Sequence, residues 1–490
     1  MGLNVKAIIK VLGILTLIEG MFMLPVITAA LVFNEWTAAG AFFTTCLICV
    51  CVGFVILTQL KFDKIALRSR EGYFIAFLSW VYCSVVGAVP MYFCGEEFSF
   101  VSCLFESVAG FSTTGCSVLD MGIVPKSMLM WRAICHWLGG MGILVLLISI
   151  FPLWGINNQS LATAETPGNH TQKIEASSSD TGKFLYLAYL LLSAIEFILL
   201  TAGPMDWFNA LLTTCSSIST AGLMITPESA WMYELPYVRL IVMIFTVLSS
   251  MNFIVYFLIL KGRWKEALKN FESRLYLCII GAATLIIALS LRLTNTYSSM
   301  WQAIKDSLCQ VVSFISTSGY FVCDYTHWPT FTTTFLILLL FVGGCSFSTS
   351  GSLKVIRVAV LSKLIKRGFI QQIHPNMVRA VVLDGHPVSA RMASAITMHT
   401  MLFFGVFAIG CLLLSFNNLD METTVTTSIG MLANTGVSLG IPGNTGYFGM
   451  FNDFSQIVMS LLMIAGRLEM YAMVIVFARS FWKPDRAVAL

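Results

Sequence analysis

Phe105-Glu-Ser-Val-Ala-Gly-Phe-Ser-Thr-Thr-Gly115-Cys116 decides the fold, because the same pattern returns three more times. The second copy reads Leu211-Leu-Thr-Thr-Cys-Ser-Ser-Ile-Ser-Thr-Ala-Gly222-Leu223, and the third Ser307-Leu-Cys-Gln-Val-Val-Ser-Phe-Ile-Ser-Thr-Ser-Gly319-Tyr320. The fourth is Thr426-Thr-Ser-Ile-Gly-Met-Leu-Ala-Asn-Thr-Gly436-Val437. Each is a short helix-forming stretch that ends in a Ser/Thr/Asn-rich step and a glycine. The glycines recur about 100 residues apart, the signature of an internal repeat. The four copies lie in segments 95–126, 204–235, 295–330 and 417–453. These are moderately apolar, longer than a turn and too short to cross a bilayer twice, so they read as re-entrant loops.

Outward from those loops the chain is lipid-facing in character. Its 490 residues are 57% hydrophobic and 11% charged, with a mean hydropathy of +0.83. A soluble domain carries roughly 25% charged residues. Ten apolar stretches read as spans, near 7–33, 38–60, 72–94, 127–153, 184–203, 236–260, 275–294, 331–360, 393–416 and 454–480. The first is too long for the apolar core of a signal peptide and reads as a span. Only the eighth is interrupted. Lysine and arginine concentrate in the connections 61–71, 261–274 and 361–391, which puts those connections, the 154–183 connection and both termini in the cytoplasm. The fold expected is an all-α membrane protein of ten transmembrane helices. An N-terminal hairpin (1–60) precedes four pseudo-symmetric helix–pore loop–helix repeats around a central pore, at 61–160, 161–265, 266–366 and 367–490.

Irregular backbone at membrane depth is tolerated only where protein buries it or where it lines water. Four glycine-bearing loops can meet on one axis, and glycine permits dihedrals that aim successive carbonyls at it. Such a ring replaces the hydration shell of a monovalent cation. Short helices ending at the ring would add their negative dipole ends. No carboxylate occurs in 112–116, 219–223, 316–320 or 433–437, which argues against a divalent-selective acidic ring. One such Ser/Thr/Gly run would favour a helix-packing contact; four in register favour a pore.

The net charge of +4 and the absence of basic–aromatic interleaving argue against nucleic-acid binding. The 14 cysteines are scattered. Their closest cluster, Cys46, Cys49 and Cys51, is either small apolar filler or a metal site. The six histidines lie far apart, and no nucleotide-binding loop occurs, so nucleotide control would require another subunit.

These residues resemble the Trk/Ktr/HKT superfamily of potassium transporters, and within it the bacterial TrkH/TrkG branch. The four loops carry the likeness, together with His136-Trp-Leu-Gly-Gly-Met-Gly-Ile143, Asn252-Phe253, Gly343-Gly-Cys-Ser-Phe-Ser-Thr-Ser-Gly351, Lys354-Val-Ile-Arg357, His374-Pro-Asn376 and Gly466-Arg-Leu-Glu469. The resemblance implies a non-enzymatic potassium uptake subunit of the bacterial inner membrane. Its filter would be formed by Thr113, Thr114 and Gly115; Thr220, Ala221 and Gly222; Thr317, Ser318 and Gly319; and Asn434, Thr435 and Gly436. Potassium ions in that filter would be its only bound metal, with no covalent cofactor. In the family, serine at the first glycine favours sodium, so Gly115 implies potassium. Cys116, Ala221 and Phe347 depart from the commoner pattern. The resemblance further implies a homodimer working with a cytoplasmic nucleotide-binding regulatory subunit of the TrkA type.

The segment Gly343, Gly344, Cys345, Ser346, Phe347, Ser348, Thr349, Ser350 and Gly351 cannot hold an ordinary helix, because each glycine costs about 1 kcal/mol there. By resemblance it is a gate below the filter; the alternative is a packing kink. Arg467 lies deep in a span, where an arginine needs a partner or water. The resemblance puts it against the gate. Glu469 is two residues away and faces elsewhere, so each is expected to find its partner on another helix. Glu106 reads as a scaffold hydrogen-bonder. Asp120, Glu228 and Asp324 either concentrate cations outside the filter or are solvated loop charges. The basic 361–391 segment suits either a cytoplasmic partner or anionic lipid. An ion-coupled secondary transporter is the alternative function; it would need two interrupted spans in opposed topology. An intramembrane enzyme lacks its nucleophile or metal set.

Overall fold

The apolar runs fold as helices, since in hydrocarbon only a helix satisfies its backbone groups within one segment. The structure, a computed structural model, describes residues 3–60, 69–95, 97–142, 178–222, 235–320, 323–377, 380–383, 386–442 and 446–482. Helices α1 (Val5–Val32) and α2 (Trp36–Gln59) form a hairpin whose turn is closed by Asn34 in the left-handed region. Cys46 and Cys49 are buried in this hairpin, with the Cys46 thiol donating to the Gly20 carbonyl at 3.2 Å; Cys51 faces outward.

From there one sequence of elements is used four times. A long helix leads to a short one, and a second helix follows the loop. The long helices are α3 (Ser69–Tyr92), α6 (Ser178–Ala202), α11 (Phe271–Leu293) and α15 (Ala390–Leu414). The short ones are α4 (Phe100–Phe111), α7 (Trp207–Ile218), α12 (Met300–Ile315) and α16 (Met421–Leu432). Ser99, Asp206 and Asp420 cap three of these, each accepting a backbone N–H three residues on. The second helices are α5 (Lys126–Gly140), α8 (Pro236–Ser250), α13 (Thr330–Val342) and α17 (Asp453–Arg467). A two-stranded hairpin, β1 (Val382–Leu383) with β2 (His386–Pro387), lies between α14 (Val355–Ile373) and α15.

Among the described residues, breaks also follow α8 and α17, which corrects the expectation of one interrupted span. After α8 the chain turns by 91° into α9 (Phe253–Leu260), and after α17 by 114° into α18 (Tyr471–Phe477). After α13 it unwinds from Gly343 to Lys354 before α14. Helix α5 ends at Gly140, followed by Gly142 at φ +75°. The sixth and tenth spans, read as continuous over 236–260 and 454–480, are therefore broken. Their causes are local: Asn252 caps α9 by accepting from Ile254 N, and Glu469 and Met470 both take positive φ. Among the described residues, six helices are long and apolar enough to cross a membrane, or eight if each bent pair counts as one span. The expected fourth span continues beyond Gly142, and most of the 154–183 loop follows it, outside the described residues.

Candidate functional site

The four loops close a ring. Thr113, Thr220, Thr317 and Asn434 have φ of +58°, +56°, +59° and +55°, and Gly115, Gly222, Gly319 and Gly436 lie between +60° and +75°. A β-branched residue at positive φ is an outlier that persists only where its surroundings impose it. Three threonines and an asparagine repeat it at one position. Each is the left-handed cap that ends a short helix, with the next residue's N–H reaching back five residues, as Thr114 N does to Ala109 O at 3.0 Å; the glycines answer to contact between neighbouring loops. A Cβ on Gly115 would stand 1.7 Å from the Ala221 carbonyl oxygen, and one on Gly222 1.6 Å from that of Ser318. A Cβ on Gly319 would lie 2.2 Å from the Thr435 oxygen, and one on Gly436 2.2 Å from that of Thr114. Each glycine thus packs on the carbonyl before the next loop's glycine, in the order first, second, third, fourth, first. The twelve residues assigned to the filter come together here, and all but Gly115 are buried.

Buried acidic groups fix the short helices that carry the loops. Glu106 of α4 accepts Ser117 Oγ at 2.6 Å, Val118 N at 2.8 Å and Leu119 N at 3.2 Å, and pairs with Arg132 Nε of α5 at 2.8 Å. That is a scaffold role. Glu196 of α6 accepts Ser217 Oγ of α7 at 2.6 Å, and Arg239 of α8 pairs with Asp306 of α12. The outer segments of the first and fourth loops join through Ser117 N to Gly446 O at 3.1 Å and Phe448 N to Ser117 O at 2.7 Å. Cys116 is buried, with its carbonyl accepting from Arg132 at 3.0 Å. Asp120 and Asp324 are exposed beyond the ring and close turns on Gly122 N and Thr326 N, both at 2.9 Å. Hydrogen bonds from Thr326 hold the Asp324 carboxyl below its usual range. Glu228 lies outside the described residues.

Residues 343–351 lie against the ring. Gly351 N donates to Thr317 Oγ1 at 2.8 Å, and a Cβ on Gly351 would stand 2.2 Å from Ala433 O. The same segment docks on the broken end of α8: Cys345 N reaches Ser250 O at 3.0 Å, Thr349 N reaches Ser249 O at 3.3 Å, and Phe253 N reaches Phe347 O at 3.2 Å. Gly343 and Phe347 take positive φ, and within the segment Ser348 Oγ bonds Cys345 O while Lys354 bonds Ser350 O. Gly344 packs on Ser350, and Ser346 N donates to Glu272 Oε1 at 2.6 Å. Opposite, Arg467 donates to Thr349 O at 2.7 Å, to Gly140 O at 2.6 Å and to Gly139 O. Glu469 pairs instead with Arg357 of α14. One arginine therefore ties the ends of α5 and α17 to the 343–351 segment.

Sequence reasoning missed Glu272, the Ser249–Ser250 carbonyls and the reason for Gly139. A Cβ on Gly139 would lie 1.8 Å from Phe111 O, at the end of the first short helix. The glycine pair in His136–Ile143 carried that signal; for Glu272, the only hint was a carboxylate beside an apolar run.

A family model for TrkH, described as a cation transport protein, matches residues 38–484. The chain is 29% identical to the Trk system potassium uptake protein TrkH of Escherichia coli (strain K12), over 98% of this chain and 100% of that protein. It is 30% identical to the Trk system potassium uptake protein TrkG of the same strain, over 98% and 99%. The structure aligns with the crystal structure of the potassium transporter TrkH from Vibrio parahaemolyticus at a TM-score of 0.86 and 27% identity, covering 98% of this chain and 100% of that one.

Proposed function

The chain belongs to the TrkH family of cation transport proteins, and from that premise we propose that it is the gated, potassium-conducting subunit of a Trk-type uptake system. It is a multi-pass bacterial membrane protein, and the relatives it matches are potassium transport proteins rather than enzymes. The observation that carries the proposal is the closed ring, in which every glycine sits on the carbonyl of the next loop. Backbone oxygens so gathered, with four short-helix C-termini ending at them, suit a dehydrated monovalent cation. Thr113–Gly115, Thr220–Gly222, Thr317–Gly319 and Asn434–Gly436 form the potassium filter. Gly343–Gly351 and Arg467 form the gate.

In this reading the ten spans are a hairpin (1–60) and four repeats (61–160, 161–265, 266–366, 367–490), set in the inner membrane with both termini cytoplasmic. The subunit works as a homodimer with a TrkA-type nucleotide-binding partner, for which the basic 361–391 segment is the docking surface. An ion-coupled secondary transporter would need two breaks in opposed topology. Among the described residues the breaks fall after the loop in the second, third and fourth repeats, at one position, which favours the pore.

The test is ion flux into proteoliposomes with potassium, rubidium, sodium and lithium compared at one driving force. Potassium and rubidium should permeate well above sodium and lithium. Equal permeation of all four would overturn the filter assignment.

A further inference from the structure

The Asn252-Phe253 pair belongs to no part of the filter or gate as assigned, yet it stands at the break between α8 and α9. Asn252 is fully buried, and its side chain works in both directions. Its Oδ1 accepts Ile254 N at 3.0 Å, capping α9, and its Nδ2 donates to Glu272 Oε2 at 3.0 Å. Glu272, 3% exposed in the first turn of α11, uses its other oxygen on Ser346 N at 2.6 Å. A single carboxylate therefore holds the α8 break with one oxygen and the 343–351 segment with the other. The three backbone bonds from Ser249, Ser250 and Phe253 to that segment join the same two parts.

We propose that Glu272 is a positioning residue that clamps the gate to the broken sixth span, so that the Gly343–Gly351 segment and the α8–α9 joint move as one unit. This rests on the reading of Gly343–Gly351 as a gate. The donor pattern makes the clamp specific to a carboxylate. In Glu272→Gln one oxygen remains for Ser346 N, and the new NH2 faces the NH2 of Asn252. Turning the Asn252 amide over only moves the conflict, because its NH2 would then face Ile254 N–H. An unmatched buried donor is costly, so the closed arrangement loses stability relative to any in which water reaches these groups.

Asn252→Asp supplies the complement. Combined with Glu272→Gln, one oxygen of the new carboxylate accepts Ile254 N and the other accepts the glutamine NH2, restoring every bond. Asn252→Asp alone sets two carboxylates together and should also loosen the clamp.

The experiment is potassium and sodium flux in proteoliposomes for Glu272→Gln, Asn252→Asp, the double variant and Arg467→Ala. Each single variant at the clamp should raise potassium flux about tenfold at an unchanged potassium-to-sodium ratio. The double variant should return it to the parent level, which a merely structural defect would not do. If Arg467→Ala raises flux and neither clamp variant does, the clamp is wrong and the gate stands. If none raises flux, the gate reading itself falls. Should Glu272→Gln not accumulate in the membrane, Asn252→Ala removes one donor and leaves the carboxylate. It carries the same expectation, and unchanged flux there overturns the clamp.

Discussion

Replacing Gly115 by serine tests the ring at its tightest kind of contact. The residue sits at φ +75°, where a side chain costs about 1–2 kcal/mol in backbone strain. Its Cβ would be 1.7 Å from the Ala221 oxygen, a backbone atom that cannot rotate away. To reach contact at about 3.2 Å, the first and second loops must separate by roughly 1.5 Å, more than the difference in fit between neighbouring alkali cations that a carbonyl ring exploits. A preference of a hundred- to a thousandfold corresponds to about 3–4 kcal/mol. With four loops sharing that evenly, the loss of one loop's part is about 1 kcal/mol, a fall of roughly fivefold in the potassium-to-sodium ratio. The assay is paired potassium and sodium flux in proteoliposomes. Gly405→Ser in α15 is the control, since a Cβ there meets nothing within 4 Å. An unchanged ratio for Gly115→Ser in protein of normal abundance and melting temperature would remove Gly115 from the filter. An equal fall for Gly405→Ser would show that the assay reads general damage.

Arg467→Ala removes donors to the carbonyls of Thr349, Gly139 and Gly140 and should raise potassium flux by about tenfold. Combined with deletion of Gly343–Gly351 it should add little, because coupled sites are non-additive; a gain equal to the product of the single gains would mean independent action, and lower flux in well-folded protein would mark a structural arginine. Glu106→Ala takes the carboxylate from buried Arg132 and the acceptor from Val118 N, so it should destabilise the protein by about 3–5 kcal/mol, read as a lowered melting temperature in detergent; an unchanged melting temperature would show that α4 is held by other contacts.

The ring was legible because its constraint falls on residue type. A Cβ site 1.6–2.2 Å from a carbonyl selects strongly for glycine, so the contact leaves Gly115, Gly222, Gly319 and Gly436 in the chain at a regular interval. The 343–351 segment was legible for a similar reason, since its glycines and serines speak against a helix in any surroundings. The break after α8 left no such mark. Thr246-Val-Leu-Ser-Ser-Met-Asn-Phe253 contains neither glycine nor proline, and its carbonyls at Ser249 and Ser250 turn away to serve a segment about 100 residues further on. Nothing local in the sequence predicts that exchange. The same holds for Glu272, whose two acceptors serve donors on two other elements. Arg467 and Glu469 could be sent to different faces by helical geometry, but the identity of their partners is tertiary.

The breaks explain one another. A helix that stops inside a membrane leaves carbonyls without partners, and an unwound segment there leaves N–H groups without them. Here each defect supplies what another lacks. The carbonyls at the end of α8 take N–H groups from the 343–351 segment, and those at the end of α5 take the Arg467 guanidinium. Gly351 N, left over, goes to Thr317 Oγ1 in the third loop of the ring. Moving the segment out of the way therefore cannot be independent of the ring: it takes the Gly351 N–H donor from the Thr317 hydroxyl. In the arrangement proposed above, the segment bears on the third loop through Thr317 and on the fourth through Ala433, while the first loop, tied to the fourth by Ser117 and to α5 by Glu106, is held from outside.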